Sequence, residues 1–248
     1  SKLATILALA GISGLAIVAD ADEFGAVAYL QKVTEGGTRA GATSHIKLTM
    51  AEGILLPRSI SASQNQMAQM SMDLIATYDG TNNPVAIATG QSLSGTTGIS
   101  EAFTVGPVFI SGTQVNAVQS ININFGIQEM LAYADGEVWP TEVFIMSRRP
   151  SITITSYDVA QINTLGISGL AQSATDSHVY LRKMTENATR TADATAEHIQ
   201  FSIDDGRAHV TNIGASQDAP HVASIMLTPT YDGSNAIFVI NTAVAITT

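Results

Sequence analysis

Short runs in which apolar and polar residues alternate recur along the chain, separated by Gly and Asp-Gly punctuation. A period of two predicts strands with one buried face. Ile46-Lys47-Leu48-Thr49-Met50 and Ile199-Gln200-Phe201-Ser202-Ile203 follow it, as does Val118-Gln119-Ser120-Ile121-Asn122-Ile123-Asn124-Phe125. Residues 26–30 and 177–181 are short apolar and aromatic strands. Residues 70–76 and 223–227 lead into Thr77-Tyr78-Asp79-Gly80 and Thr230-Tyr231-Asp232-Gly233, and apolar runs follow at 84–87 and 236–240. Strand, Asp-Gly, strand predicts a hairpin at each place, with positive φ at Gly80 and Gly233 and the aspartates engaged in turn chemistry. Helix is expected only as one or two turns over 158–163, capped near Tyr157 or Asp158 and stopped by Gly166, with a counterpart at 5–10.

The predicted elements come twice. Tyr29-Leu30-Gln31-Lys32-Val33-Thr34-Glu35-Gly36-Gly37-Thr38-Arg39 returns as Tyr180-Leu181-Arg182-Lys183-Met184-Thr185-Glu186-Asn187-Ala188-Thr189-Arg190. Over 28–39 against 179–190, seven of twelve positions are identical. Gly11-Ile12-Ser13-Gly14-Leu15 recurs at 166–170, His45-Ile46 at 198–199, Ala62-Ser63-Gln64 at 215–217, and the Thr-Tyr-Asp-Gly turn as above. Partners lie 151 to 155 residues apart, a period far beyond the ~20–50 residues of solenoid repeats, so a whole unit is duplicated. The expected division is 1–104 for the first β-sandwich repeat and 105–248 for the second. Gly90 to Gly98 reads as a loop or linker, and the extra strands of 105–155 are expected to bridge the two units. The first copy has no counterpart of that stretch, so its sheet is expected to be completed by another segment or another chain.

The N-terminus, one lysine and an apolar run from Leu3 to Val18, has the outline of a secretory signal. The recurrence of Gly11–Leu15 deep inside the chain argues for a buried strand and turn instead. An initiator Met removed ahead of Ser1 is the accompanying expectation.

Composition narrows the chemistry. Cysteine is absent among 248 residues, which excludes disulfides, thiol nucleophiles and Cys-ligated zinc. Charged residues make up 13% and the net charge is −10, which excludes nucleic-acid capture by phosphate neutralisation. Residues 1–104 carry five basic and eight acidic residues (net −3), and 105–248 carry six and thirteen (net −7).

No G-x-S-x-G, P-loop or dinucleotide fingerprint occurs, and no cofactor is expected. His45 and His198 are repeat equivalents and are expected at matching structural positions rather than in one metal site. His178, His209 and His221 have no ligand spacing. The acidic groups Asp20-Ala21-Asp22-Glu23 and Asp204-Asp205-Gly206 lack the EF-hand pattern and are expected as solvated turns. Arg148-Arg149 is the one arginine pair in sequence, and Trp139 before Pro140 suits an anchoring side chain at a loop or interface.

The stretch Gly106-Pro107-Val108, Ile121-Asn122-Ile123-Asn124-Phe125-Gly126, Asp135-Gly136-Glu137-Val138-Trp139-Pro140-Thr141 and Pro150-Ser151-Ile152-Thr153-Ile154 resembles structural proteins of tailed bacteriophages. It is most similar to the major tail (tail tube) proteins of long, flexible-tailed phages. The resemblance implies an all-β fold with minor short helices: two β-sandwich units whose long strands close an inner β-barrel in a ring. It implies a non-enzymatic homo-oligomer built as trimeric pseudo-hexameric rings, stacked into a tube that conducts DNA without binding it. Implied partners are tape-measure and tail-terminator or tip proteins, with no membrane, and the implied location is the virion after synthesis in the host cytoplasm. An acidic lumen repels phosphate, which suits a conduit. On this view the repeated motif is a strand running into a polar contact loop. Its candidate subunit contacts are Lys32, Glu35 and Arg39, then Lys183, Glu186 and Arg190, with Trp139 beside them. The alternatives are a capsid or decoration protein of a virion, or a secreted carbohydrate-binding or adhesive β-sandwich.

Overall fold

The computed structural model describes residues 25–33, 35–36, 44–93, 101–134, 136–168, 172–185, 189–216, 219–231, 233 and 236–247. The apolar start, the helix counterpart at 5–10, the acidic cluster at 20–23, Arg39, Glu186, Asp232 and most of the expected 90–98 linker lie outside them. Strands account for 62% of residues and helix for 2%, which makes the chain all-β.

The first half supplies β1 (Ala26–Leu30), β2 (His45–Met50), β3 (Glu52–Ser63), β4 (Gln69–Thr77) and β5 (Val85–Gln91). The middle supplies β6 (Ala102–Ile110), β7 (Thr113–Val115), β8 (Val118–Asn124), β9 (Ile127–Ala132), β10 (Glu142–Arg148) and β11 (Ser151–Ser156). After the single helical turn α1 (Gln161–Thr164) come β12 (Gln172–Ser173), β13 (Ser177–Met184), β14 (His198–Ile203), β15 (Gly206–Ser216), β16 (Ala219–Pro229) and β17 (Val239–Val244). They form a seven-stranded sheet β12-β15-β16-β11-β8-β3-β4, a five-stranded sheet β17-β14-β13-β6-β7, a three-stranded sheet β1-β2-β5 and the hairpin β9-β10. β6 runs through residue 104, and β8 and β11 join β3 of the first copy to β16 of the second.

The repeat in sequence is matched by a repeat in pairing. Tyr29 faces Lys47 and Leu30 faces Ile46; Tyr180 faces Gln200 and Leu181 faces Ile199. β2 against β5 and β14 against β17 shift register at the same place, between His45 and Lys47 and between His198 and Gln200. The hairpins β3–β4 and β15–β16 also bulge at equivalent points, between Pro57 and Ser59 and between Val210 and Asn212.

One expectation is corrected. The Tyr-Asp-Gly segments do not close hairpins, because β4 pairs with β3 whereas β5 pairs with β2. Each is a corner that sends the chain into another sheet. The Asp79 carboxylate accepts the N–H groups of Thr81 (2.8 Å) and Asn82 (2.6 Å) and the side-chain amide of Asn82 (2.8 Å). Gly80 then turns the chain at φ +81° and Gly233 at φ +93°. A local Asx-type turn fixes direction without fixing which strand is met next.

The core is one cluster shared by the five- and seven-stranded sheets. Ile121 and Ile123 of β8 and Ile152 and Ile154 of β11 point into it while Asn122 and Asn124 are exposed, as the alternation predicted. Full burial of each such side chain is worth about 1.5–3 kcal/mol. Phe238 stacks on Phe201 (5.9 Å between ring centroids) and meets Phe125 edge-on (6.4 Å), which ties the two sheets at one end. The three-stranded sheet contributes no residue to this cluster.

α1 is a single turn without a side-chain cap, and Gly166 stops it at φ +70°. The expected cap is used otherwise: the Ser156 hydroxyl accepts the Asp158 N–H (3.0 Å). No helix among the described residues is long and apolar enough to cross a membrane.

Candidate functional site

In both copies the chain leaving the tyrosine strand is held by the repeat's histidine. The Lys32 N–H donates to Nδ1 of buried His45 (3.1 Å), and the Lys183 N–H donates to Nδ1 of buried His198 (3.1 Å). An accepting Nδ1 leaves the proton on Nε2, and in the second copy Nε2–H donates to the Ala192 carbonyl (3.0 Å). Each histidine is a structural clasp in its own unit. No group of three metal-ligating side chains occurs among the described residues.

Of the expected contact residues, Lys32 and Lys183 are the ones whose backbone the clasps hold. The Lys32 and Glu35 side chains are exposed, whereas Lys183 is engaged within the chain, its Nζ 3.5 Å from Glu197 and 3.8 Å from Glu101. Arg190 donates from Nη2 to the Gln64 side chain (3.1 Å), linking the second motif to the end of β3. Trp139 is half-exposed in the loop between β9 and β10, far in sequence from both motifs, and the Tyr78 N–H holds the adjacent Pro140 carbonyl (2.9 Å). Arg39 and Glu186 lie outside the described residues.

Two features were missed in the sequence. The first is a guanidinium hub at the β3 bulge. Arg58 Nε donates to Asp73 (2.6 Å), Nη1 to the Ile127 carbonyl (3.0 Å) and to Glu129 (2.9 Å), and Nη2 to the other Glu129 oxygen. The hub ties β3 to β4 and to the β9–β10 hairpin. The Arg58 hydrogen bonds hold the Glu129 carboxyl below the usual carboxylate range, and the carboxylates raise Arg58. Its partners are 15 and 71 residues away, so no local spacing announces it.

The second is an apolar sheet face left largely exposed among the described residues. Cross-strand register puts Ala28, Leu48 and Ile87 on one face of the three-stranded sheet, with Leu30 and Ile46 beyond them and Met50 and Val85 before. Their equivalents Val179, Phe201, Ile240, Leu181, Ile199, Ile203 and Phe238 are all buried in the core. Ile87 is 69% exposed and Ile240 0%; Val85 is 51% exposed and Phe238 1%.

Strand edges repeat the asymmetry. Among the described residues β1 is open where its equivalent β13 pairs with β6, and β4 is open where its equivalent β16 pairs with β11. β15 is covered only by the two-residue β12, at Arg207 and Ala208, where its equivalent β3 pairs with β8 over five residues. Each of these three edges therefore has a twin that receives a strand or pairs more fully.

No protein-family model and no curated protein matches this chain.

Proposed function

We propose that this chain is a self-assembling structural subunit, a tail tube protein of a long-tailed bacteriophage, whose copies join into stacked rings that conduct DNA. The observation that carries the reading is the apolar face of β1-β2-β5, where Leu30, Val85 and Ile87 are exposed in one copy while the other copy buries their equivalents Leu181, Phe238 and Ile240. A contiguous exposed apolar face marks an interaction site. Its occupant in this reading is a second copy of the chain, because the same molecule carries open sheet edges that match.

Along the seven-stranded sheet every neighbour is antiparallel, so the sixth strand β15 runs opposite to β4 at the other edge. The β4 edge of one molecule can extend the β15 edge of the next as a further antiparallel pair. Open edges of this kind invite strand addition. A head-to-tail contact of that type closes into a ring when its rotation allows. Two similar units per chain suit a trimer that imitates a hexamer. The net charge of −10 keeps a DNA conduit free of phosphate binding. The resemblance at 106–154 to tail tube proteins supports this reading.

Sedimentation velocity of wild type and a Leu30→Asp/Ile87→Asp variant tests the reading. Concentration-dependent association in the wild type, lost in a variant that still melts cooperatively, is expected. A wild type that stays monomeric at all concentrations overturns it.

A further inference from the structure

The repeat places an arginine pair in the second copy alone. Arg182 of β13 stands where the first motif has Gln31, so only the Tyr180 motif brings two guanidiniums together. The Arg182 backbone is fixed opposite Thr104 of β6, and a bridge between Met184 and Arg190 folds the following loop back beside it. The Thr185 N–H donates to the Thr189 carbonyl (2.8 Å) and the Thr191 N–H to the Lys183 carbonyl (3.0 Å), so Arg190 is carried on a bonded return.

The two side chains line a cavity of about 460 Å³ together with Gln64 at the end of β3 and the turn from β7 to β8. Its walls are pinned from three directions. The Gln64 N–H donates to the Gln119 carbonyl (2.8 Å), the Gln64 side-chain amide donates to the Val118 carbonyl (2.8 Å), and the Asn116 N–H donates to the Gln161 side chain (2.6 Å). Of the described charged residues lining it, Arg182 and Arg190 are cations and Asp193 is an anion. Asp193 pairs with an Nη of Arg182, yet the Arg182 Nε–H is buried with no hydrogen-bond partner. A buried cationic donor without a partner costs more than a neutral one, and in a protein of net charge −10 the pocket is a local positive site. Burial, and then the like charge of Arg190, hold the Arg182 guanidinium below its usual value. Two guanidiniums lining one cavity, with Asp193 the anion among the described residues, suit a further oxyanion. Arginine forks match carboxylate and phosphate oxygens alike.

We propose that this cavity is an oxyanion site that takes one phosphate or carboxylate group between Arg182 and Arg190. Two sources present that chemistry: a free small anion, and an acidic side chain of a second copy of this chain. The site stands on the second-copy arginine pair and does not depend on the tail-tube reading.

The test titrates the full chain with inorganic phosphate against chloride at matched ionic strength, by calorimetry and by the NMR signal of the Arg182 Nε–H. Saturable phosphate binding that moves this signal is expected, with affinity at least about tenfold weaker in Arg190→Gln. Arg190→Lys, which keeps the charge without the fork, serves as the second variant and is expected to fall between. Phosphate without a saturable effect beyond chloride overturns the proposal, as does unchanged affinity in both variants. Sedimentation of the same samples separates the sources. Association weakened alike by saturating phosphate and by Arg190→Gln assigns the site to a carboxylate of a second copy. Association indifferent to both assigns it to a free anion. A chain that never associates still gives the phosphate result, so failure of the assembly reading leaves this one decidable.

Discussion

Leu30 and Leu181 hold the same place in the two copies, each following the strand tyrosine and each opposite the first isoleucine of the next strand, yet Leu30 is 56% exposed and Leu181 2%. Identical local structure with opposite burial means that the surroundings, and not the strand, differ. Leu181→Ala should cost the isolated chain about 2–5 kcal/mol of unfolding free energy in urea, as a cavity in the core. Leu30→Ala should cost less than about 0.5–1 kcal/mol in the monomer while weakening self-association. Equal destabilisation by the two would mean that the first sheet is covered within its own chain.

Acid should act first at the β3 bulge. Glu129 is held below its ordinary range by Arg58, so its contribution is complete above the unfolded-state carboxyl pKa of about 4.3 and is lost as pH falls through the lower folded value. Glu129→Gln should therefore cost about 1–2 kcal/mol at pH 7, and the gap to wild type should begin to narrow as pH falls below about 4.3. Denaturant titrations across pH 3–7 measure both. A gap that does not narrow at all as pH falls from 5 to 3 would assign the loss to packing.

The histidine clasps carry a prediction about tautomers. Long-range nitrogen–proton correlation spectra at neutral pH should show both His45 and His198 protonated on Nε2, because each Nδ1 accepts a lysine N–H. His198→Phe should lose about 1–3 kcal/mol, since two hydrogen bonds, from the Lys183 N–H and to the Ala192 carbonyl, are lost.

Glycine substitutions separate strain from contact. Gly126 sits at φ +60°, and a Cβ there would lie 1.9 Å from the Arg149 carbonyl oxygen; Gly80 sits at φ +81° with open space around it. Gly80→Ala should cost about 1–2 kcal/mol through backbone conformation alone. Gly126→Ala should cost clearly more, because the Arg149 backbone must move as well. Melting temperatures of the two variants give the comparison.

Much of the fold was legible because its strands are local events. The alternation in 118–125 and 151–155 marked β8 and β11 with their buried faces, and the duplicated motif marked β1 and β13. The Asp-Gly corners misled, since Asp79 and Gly80 determine a turn but β5 chooses its partner through β2, far from the turn. The apolar face at Leu30 and Ile87 could not be told from an ordinary core face, because its sequence is that of its buried twin. Arg58 was hidden for the opposite reason: its role arises only when β3, β4 and β9 meet.

Electron microscopy of the purified chain at high concentration tests the central claim most directly. Rings with an open centre, stacked into tubes and abolished by Leu30→Asp/Ile87→Asp, are the predicted result. A uniform field of single particles under conditions where the chain is folded would contradict it.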